Sequence, residues 1–256
     1  MRHFLEVAYN GKTFSGWQVQ PNKRTVQGVI NDALSTLHQQ PINVVGCGRT
    51  DAGVHASQYF LHYDADKPPH EDIVYRLNAL VGREIAVKRI IAVGDDDHAR
   101  FHATERAYTY RTHFQKDPFF DELSYYCFYR GLDHEAMQQA AWLIAQTKDF
   151  APLCKADEDQ TNTRCDVRYV RLSFSKDGNA MELNIASNRF LYNMIRRIVG
   201  LLITVGRGKI DNTEVKHVLE TSGTFNINFV APPQGLYLSR VAYPFIEAHG
   251  KAEEHV

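Results

Sequence analysis

A chain of 256 residues, 44% hydrophobic and 23% charged, can bury a core without disulfides or a structural metal and has room for one large domain or two small ones. Its 29 Lys and Arg against 30 Asp and Glu leave a net charge of −1. That excludes a histone-like binder, so any anionic partner must meet a local basic patch. Cys47, Cys127, Cys154 and Cys165 are widely spaced with no C-x-x-C, and MRHFLEVAYN lacks the apolar stretch of a signal peptide. Both features lead us to expect reduced thiols and a cytoplasmic protein. No apolar run reaches the roughly 18 residues that span a bilayer, so no membrane partner is expected.

Residues 3–9 alternate loosely and end in Asn10-Gly11, a strand followed by a turn. Val26, Val29, Ile30, Ala33, Leu34 and Leu37 repeat at helical spacing, predicting a helix from near Thr25 that Pro41 stops. INVVGC (42–47) reads as a strand, GRTDAG (48–53) as a loop, and Gln58 to Tyr63 as a strand. With a helix over 71–81 and a strand over Ile85 to Val93, the order is β-α-β-β-α-β, the split βαβ arrangement. The order recurs from Arg106. RAYTYRTHF is a strand and His134 to Gln146 an amphipathic helix. Val167 to Phe174 and Met181 to Ala186 are strands turning at Asp177-Gly178, followed by helices over Phe190 to Val205 and 211–221 and a strand over Leu236 to Val241. The expected fold class is α+β: two ferredoxin-like halves, 1–105 and 106–246, pooling strands into one mostly antiparallel sheet flanked by helices, with a polar tail over 247–256.

Within GRTDAGVHA (48–56), Gly48 and Gly53 allow tight turns that present one carboxylate, Asp51, with Arg49 two residues away. An exposed Asp beside a cation stays ionised and can act as nucleophile or base. An Asp in such a loop can equally close an Asx turn, and the residues alone leave both roles open. On the helix from Phe190, Arg196 shares a face with Val199 and Ile203, where a guanidinium either is partly desolvated and in need of an anion or snorkels at the edge of the core. Arg197 points elsewhere, toward solvent or phosphate. Tyr108 and Tyr110 share one strand face, the ordinary position of packing aromatics. Residues 162–209 hold nine basic side chains, Arg189 among them, against three acidic ones, the footprint expected of phosphate contact with RNA or, equally open from the residues alone, a solvated basic face. HARFH (98–102) has the i, i+4 spacing of two metal ligands, but lacks the Glu of H-E-x-x-H and carries Arg100 between them, so no metal is expected.

GRTDAGVHA resembles the catalytic loop of the TruA family of tRNA pseudouridine synthases. The resemblance extends through YNGKTFSGWQVQ (9–20) with VQG (26–28), DDDHARFHATERAYTYR (95–111), NRFLYNMIRRIVG (188–200) and GLYLSRVAYP (235–244), in family order. It implies that Asp51 is the catalytic aspartate, Tyr108 the active-site tyrosine, Arg196 the aspartate's partner, and Leu236 part of the uracil pocket. Arg49, Arg189 and Arg197 are then candidates for substrate contact. The implied reaction is uridine to pseudouridine in tRNA, at positions 38 to 40 of the anticodon stem-loop, by a homodimer. It transfers no electrons and adds no group, so neither a redox, nucleotide nor metal cofactor is expected. The alternatives are a catalytically silent RNA-binding protein of the same fold, or a family member acting on another RNA. A hydrolase of the aspartic-protease type would need D-T-G or D-S-G where this chain has Asp51-Ala52-Gly53. FAPLCKADEDQTNTRCDV (150–167) lies outside the resemblance.

Overall fold

The computed structural model describes residues 1–155, 162–225 and 230–246, which form nine strands and five α-helices in an α+β fold with a mostly antiparallel sheet. Contacts divide the chain into two units, Met1–Arg106 with the described residues from Leu238 onward, and Ala107–Tyr237. The expected polar tail, 247–256, lies outside the described residues.

The first unit runs β1 (Arg2–Tyr9), α1 (Val26–His38), β2 (Val45–Gly46), β3 (His55–Asp64), α2 (Ile73–Leu80) and β4 (Ile85–Ala92), the predicted β-α-β-β-α-β order. β1 lies between β3 and β4, antiparallel to both, with Leu5 opposite Leu61 and Ile90. The alternation of β1 is loose because both its faces are covered. Phe4, Leu5 and Val7 are fully buried, and Glu6 is buried with them because Arg89 Nε (2.6 Å) and Gln58 Nε2 (3.0 Å) donate to its carboxylate. Burial alone would raise that carboxyl's pKa, but these two donors together hold it below the usual range.

Thr25 caps α1 by accepting from the Gly28 amide at 3.2 Å, and a left-handed Gln39 (φ +55°) ends it two residues before Pro41. The strand expected over 42–47 shrinks to Val45–Gly46 because α1 claims the preceding backbone. Ser35 Oγ accepts from the Ile42 amide, Asn31 Oδ1 accepts from the Val44 amide, and Gln27 Nε2 donates to the Val44 carbonyl. Groups so occupied cannot join a ladder.

His62, on β3, is 4% exposed and accepts from the Ala99 amide through Nδ1 at 3.1 Å. Burial, with Arg2 and His98 nearby and only Asp64 opposing, pushes its imidazole down to about 4 from 6.5. The unfolded chain therefore binds more protons between these values. The stability that neutral His62 contributes is whole above pH 6.5 and lost as pH falls toward 4, about 3 kcal/mol in all. Urea unfolding at pH 7 and pH 4.5 is expected to show that loss, and His62→Asn a shallower one; equal slopes for the two proteins would contradict the assignment.

The second unit contains most of β5 (Glu105–His113), then β6 (Tyr125–Tyr126), α3 (His134–Gln146), β7 (Val167–Phe174), β8 (Ala180–Ser187), α4 (Met194–Gly206), α5 (Asn212–Thr221) and the start of β9 (Leu236–Ala242). The strand order is β5-β8-β7, with the unpredicted two-residue β6 parallel to β5. The helix expected from Phe190 begins at Met194, because Asn193 adopts φ +60° and a left-handed residue interrupts a helix. Burial extends round most of the helix: Ile195, Ile198, Val199, Leu201, Leu202 and Ile203 are all buried.

Candidate active site

In the first unit the loop bearing Asp51 is fastened at each step. Arg106 donates to the Cys47 carbonyl at 2.7 Å, and Tyr59 OH to the Gly48 carbonyl at 2.5 Å. Thr50 is held twice, its hydroxyl by Tyr9 OH at 2.8 Å and its carbonyl by the Trp17 amide at 3.0 Å. After Asp51, the Val54 amide donates back to the Asp51 carbonyl (3.1 Å) across a turn in which Gly53 takes φ +78°. Nδ1 of buried His55 accepts from the Gly11 amide at 3.1 Å, so the ring is fixed with that nitrogen unprotonated. Beneath the loop Trp17 stacks on Tyr59, ring centroids 4.2 Å apart, with Tyr9 at 5.5 Å from Tyr59. Asp51 is half-buried, between buried Thr50 and exposed Ala52, and Arg49 is exposed.

Two glycines of the preceding segment permit this approach. A Cβ on Gly11 would stand 2.0 Å from the Val54 carbonyl oxygen, and one on Gly16, at φ +90°, 2.7 Å from that of Thr50. Gly16→Ala is thus expected to cost about 1–3 kcal/mol from backbone strain alone, read as a lowered urea midpoint; an unchanged midpoint would show the contact to be loose.

In the second unit Tyr108, on β5, is half-buried, with the Phe190 ring edge-on at 5.0 Å. The late start of α4 leaves Phe190 outside the helix. Arg196, in the first turn of α4, donates through Nε to the Ala231 carbonyl at 2.6 Å and through a terminal nitrogen to Asn193 Oδ1 at 3.3 Å, while its own carbonyl accepts from the Ala231 amide at 3.0 Å. Leu236 follows on the same stretch, which Tyr110 OH holds through the Pro232 carbonyl (2.7 Å). A Cβ on Gly235 would lie 2.7 Å from the Tyr110 ring. The braced segment 231–236, which rests on fully buried Tyr110, therefore begins at the residue bonded to Arg196 and ends at Leu236.

Arg197 differs from its expected solvent-facing placement. It is half-buried, and its Nε lies in the interior without a hydrogen-bond partner, its charge acting on the Cys154 thiol. Arg189 is exposed. His98 and His102 lie in a turn, not on a helix, and their Nδ1 atoms accept backbone amides, that of His98 from Arg100 at 3.1 Å and that of His102 from His98 at 3.3 Å. Among the described residues no three His, Cys, Asp or Glu side chains are placed to hold a metal, and no helix is long and apolar enough to cross a membrane. All four cysteines are free and buried. Of the 150–167 segment, residues 151–153 form a 3-10 turn, while 156–161, with acidic Asp157, Glu158 and Asp159, lie outside the described residues.

The residues read from the sequence left out the supports of the loop: Tyr9, Trp17, Tyr59 and Arg106. The two glycines of YNGKTFSGWQVQ were the available signal, since each marks a close backbone approach.

The first unit thus holds an Asp on a braced turn, and the second holds an arginine bonded to the Ala231 carbonyl and a half-buried tyrosine set against Phe190. A model of the tRNA pseudouridine synthase family matches residues 6–102 and 146–244. The chain is 41% identical to the tRNA pseudouridine synthase A of Porphyromonas gingivalis, over 95% of this chain and 97% of that protein. It is 39% identical to those of Parabacteroides distasonis and Bacillus subtilis, over 95% of this chain and 96% and 99% of theirs. The chain belongs to the tRNA pseudouridine synthase family.

Proposed function

We propose that this chain isomerises uridine to pseudouridine in tRNA, at positions 38 to 40 of the anticodon stem-loop, with Asp51, Tyr108 and Arg196 acting on one flipped nucleotide. The observation that carries the reading is the Asp51 loop, braced through Thr50 in a chain 41% identical to a tRNA pseudouridine synthase A along nearly its whole length.

The reaction breaks the N1–C1′ bond, turns the uracil, and joins C5 to C1′. The proton on C5 then leaves and N1 regains one, so the product is an isomer. A stacked base cannot be turned in place, and the nucleotide must first leave the helix. Asp51 acts either as nucleophile at C1′ or as base at C2′, and both roles need an ionised carboxylate in a fixed position. Arg196 supplies the countercharge that keeps it ionised. Tyr108 stacks on the uracil and its hydroxyl serves the C5 proton, while Leu236 forms the apolar wall. Arg49 and Arg189 contact the RNA. The balance of atoms and electrons calls for no redox, nucleotide or metal cofactor.

Incubating the chain with unmodified tRNA and mapping pseudouridine at nucleotide resolution tests activity and site choice together. Product at 38 to 40 is expected. Product elsewhere would point to another RNA target, and binding without product to a silent RNA-binding relative. We further assign the chain to the cytoplasm and to a homodimer, the latter checked by sedimentation.

A further inference from the structure

We propose that a groove on the second unit, bounded by Lys148, Arg164, Asp166 and Arg189, binds phosphodiester groups of an RNA backbone. The inference rests on the RNA-binding reading above and adds a site that this reading does not locate. The groove encloses about 610 Å³, with Asn162 and Asn188 on its rim and Cys165 in its floor, a volume in the range of nucleotide-sized sites.

Three chain segments form its walls and are stitched together by the backbone. The Cys165 amide donates to the Lys148 carbonyl at 3.0 Å, and Asp149 and Arg164 form an antiparallel bridge. The Asp166 amide donates to Asn188 Oδ1 at 2.9 Å, and the Asn188 amide returns a bond to the Asp166 carbonyl at 3.2 Å. The shape is therefore set before any ligand arrives. The floor is neutral, because burial pushes the Cys165 thiol up to about 11.

The cations are unevenly engaged. Asp166 is shared by Lys148 at 3.7 Å and Arg168 at 3.0 Å, one carboxylate between two positive charges. Arg164 and Arg189 form no side-chain hydrogen bond or salt bridge among the described residues. Nearby Asp149 is held by Thr163 and Ser222. The Arg164 charge also acts on Asp149, and the two guanidinium forks, which donate no hydrogen bond among the described residues, match the paired oxygens of phosphate, which a guanidinium can hold through two parallel bonds. The walls add amide groups from Asn162 and Asn188, and arginine forks beside amides suit the paired anionic oxygens of a phosphodiester, which favours a nucleic-acid backbone over a protein partner.

The test is binding of unmodified tRNA to the full chain by fluorescence anisotropy across a salt series. Each neutralised phosphate contributes about 0.7–0.9 to the slope of log affinity against log salt. Arg164→Ala and Arg189→Ala are each expected to weaken binding several-fold near physiological salt and to lower the slope by about one, and the double variant by about two. Arg164→Lys should keep the slope while losing affinity, since the charge stays and the fork does not. The control is Lys216→Ala, on α5 and outside the groove, with unchanged binding expected. If the double variant, with an unaltered melting temperature, bound with the wild-type affinity and slope, the groove would be excluded and the proposed activity left standing. If the wild-type chain neither bound nor modified tRNA, both readings would fail.

Discussion

Asp51→Asn is expected to abolish pseudouridine formation, by about 10⁴-fold or more, while leaving tRNA affinity within about threefold of wild type. The asymmetry follows from how the two tasks are distributed. Affinity is spread over many phosphate contacts, whereas chemistry needs one charged oxygen at one place. Asn keeps the size of the side chain and cannot attack C1′ or take a proton from C2′. The surrounding bonds, Tyr9 to Thr50 and the Val54 amide to the Asp51 carbonyl, involve no carboxylate oxygen and should survive the change. A melting temperature measured alongside separates lost chemistry from lost folding. Single-turnover assays with saturating enzyme measure it, and an Asn variant working at a tenth of the wild-type rate would remove Asp51 from the mechanism.

Tyr108→Phe should bind tRNA normally and turn over about 100-fold more slowly, the lower end of what a positioned acid or base contributes. The edge-on contact with Phe190 at 5.0 Å involves the ring and not the hydroxyl, so the phenyl ring should keep its place and its stacking. Tyr108→Leu should also lose affinity, because stacking on a base is worth about 1–3 kcal/mol. Tyr110 is the control, two residues along the same strand. Its hydroxyl donates to the Pro232 carbonyl from a fully buried position, so Tyr110→Phe should cost about 1 kcal/mol of stability with a small effect on the chemical step. Wild-type single-turnover rates for Tyr108→Phe would leave that residue with stacking alone.

Features legible in the sequence were those decided within a few residues. α3 occupies the predicted His134–Gln146, because Asp133 caps it through the Ala136 amide and its apolar spacing is regular. The β7–β8 hairpin turns at the expected Asp177-Gly178, where Asp177 binds Ser175 and Asn179 and Gly178 takes φ +69°. Likewise, GRTDAG is a loop because its own glycines and Asp51 carry the turn.

Local spacing and contiguous motifs were enough for the α+β order of elements, the loop carrying Asp51, and the family. The start of β2 depends instead on packing, because Asn31 and Ser35 of α1 occupy the amides of Val44 and Ile42. The folded structure alone placed Arg197's Nε in the interior, and it alone showed what holds Asp51 in position. Thr50 meets Tyr9, 41 residues away, and Trp17, while Arg196 meets Ala231, 35 residues away. Neither periodicity nor spacing encodes such pairs. They form where a packed interior leaves each buried carbonyl and hydroxyl only the partners that the fold brings near.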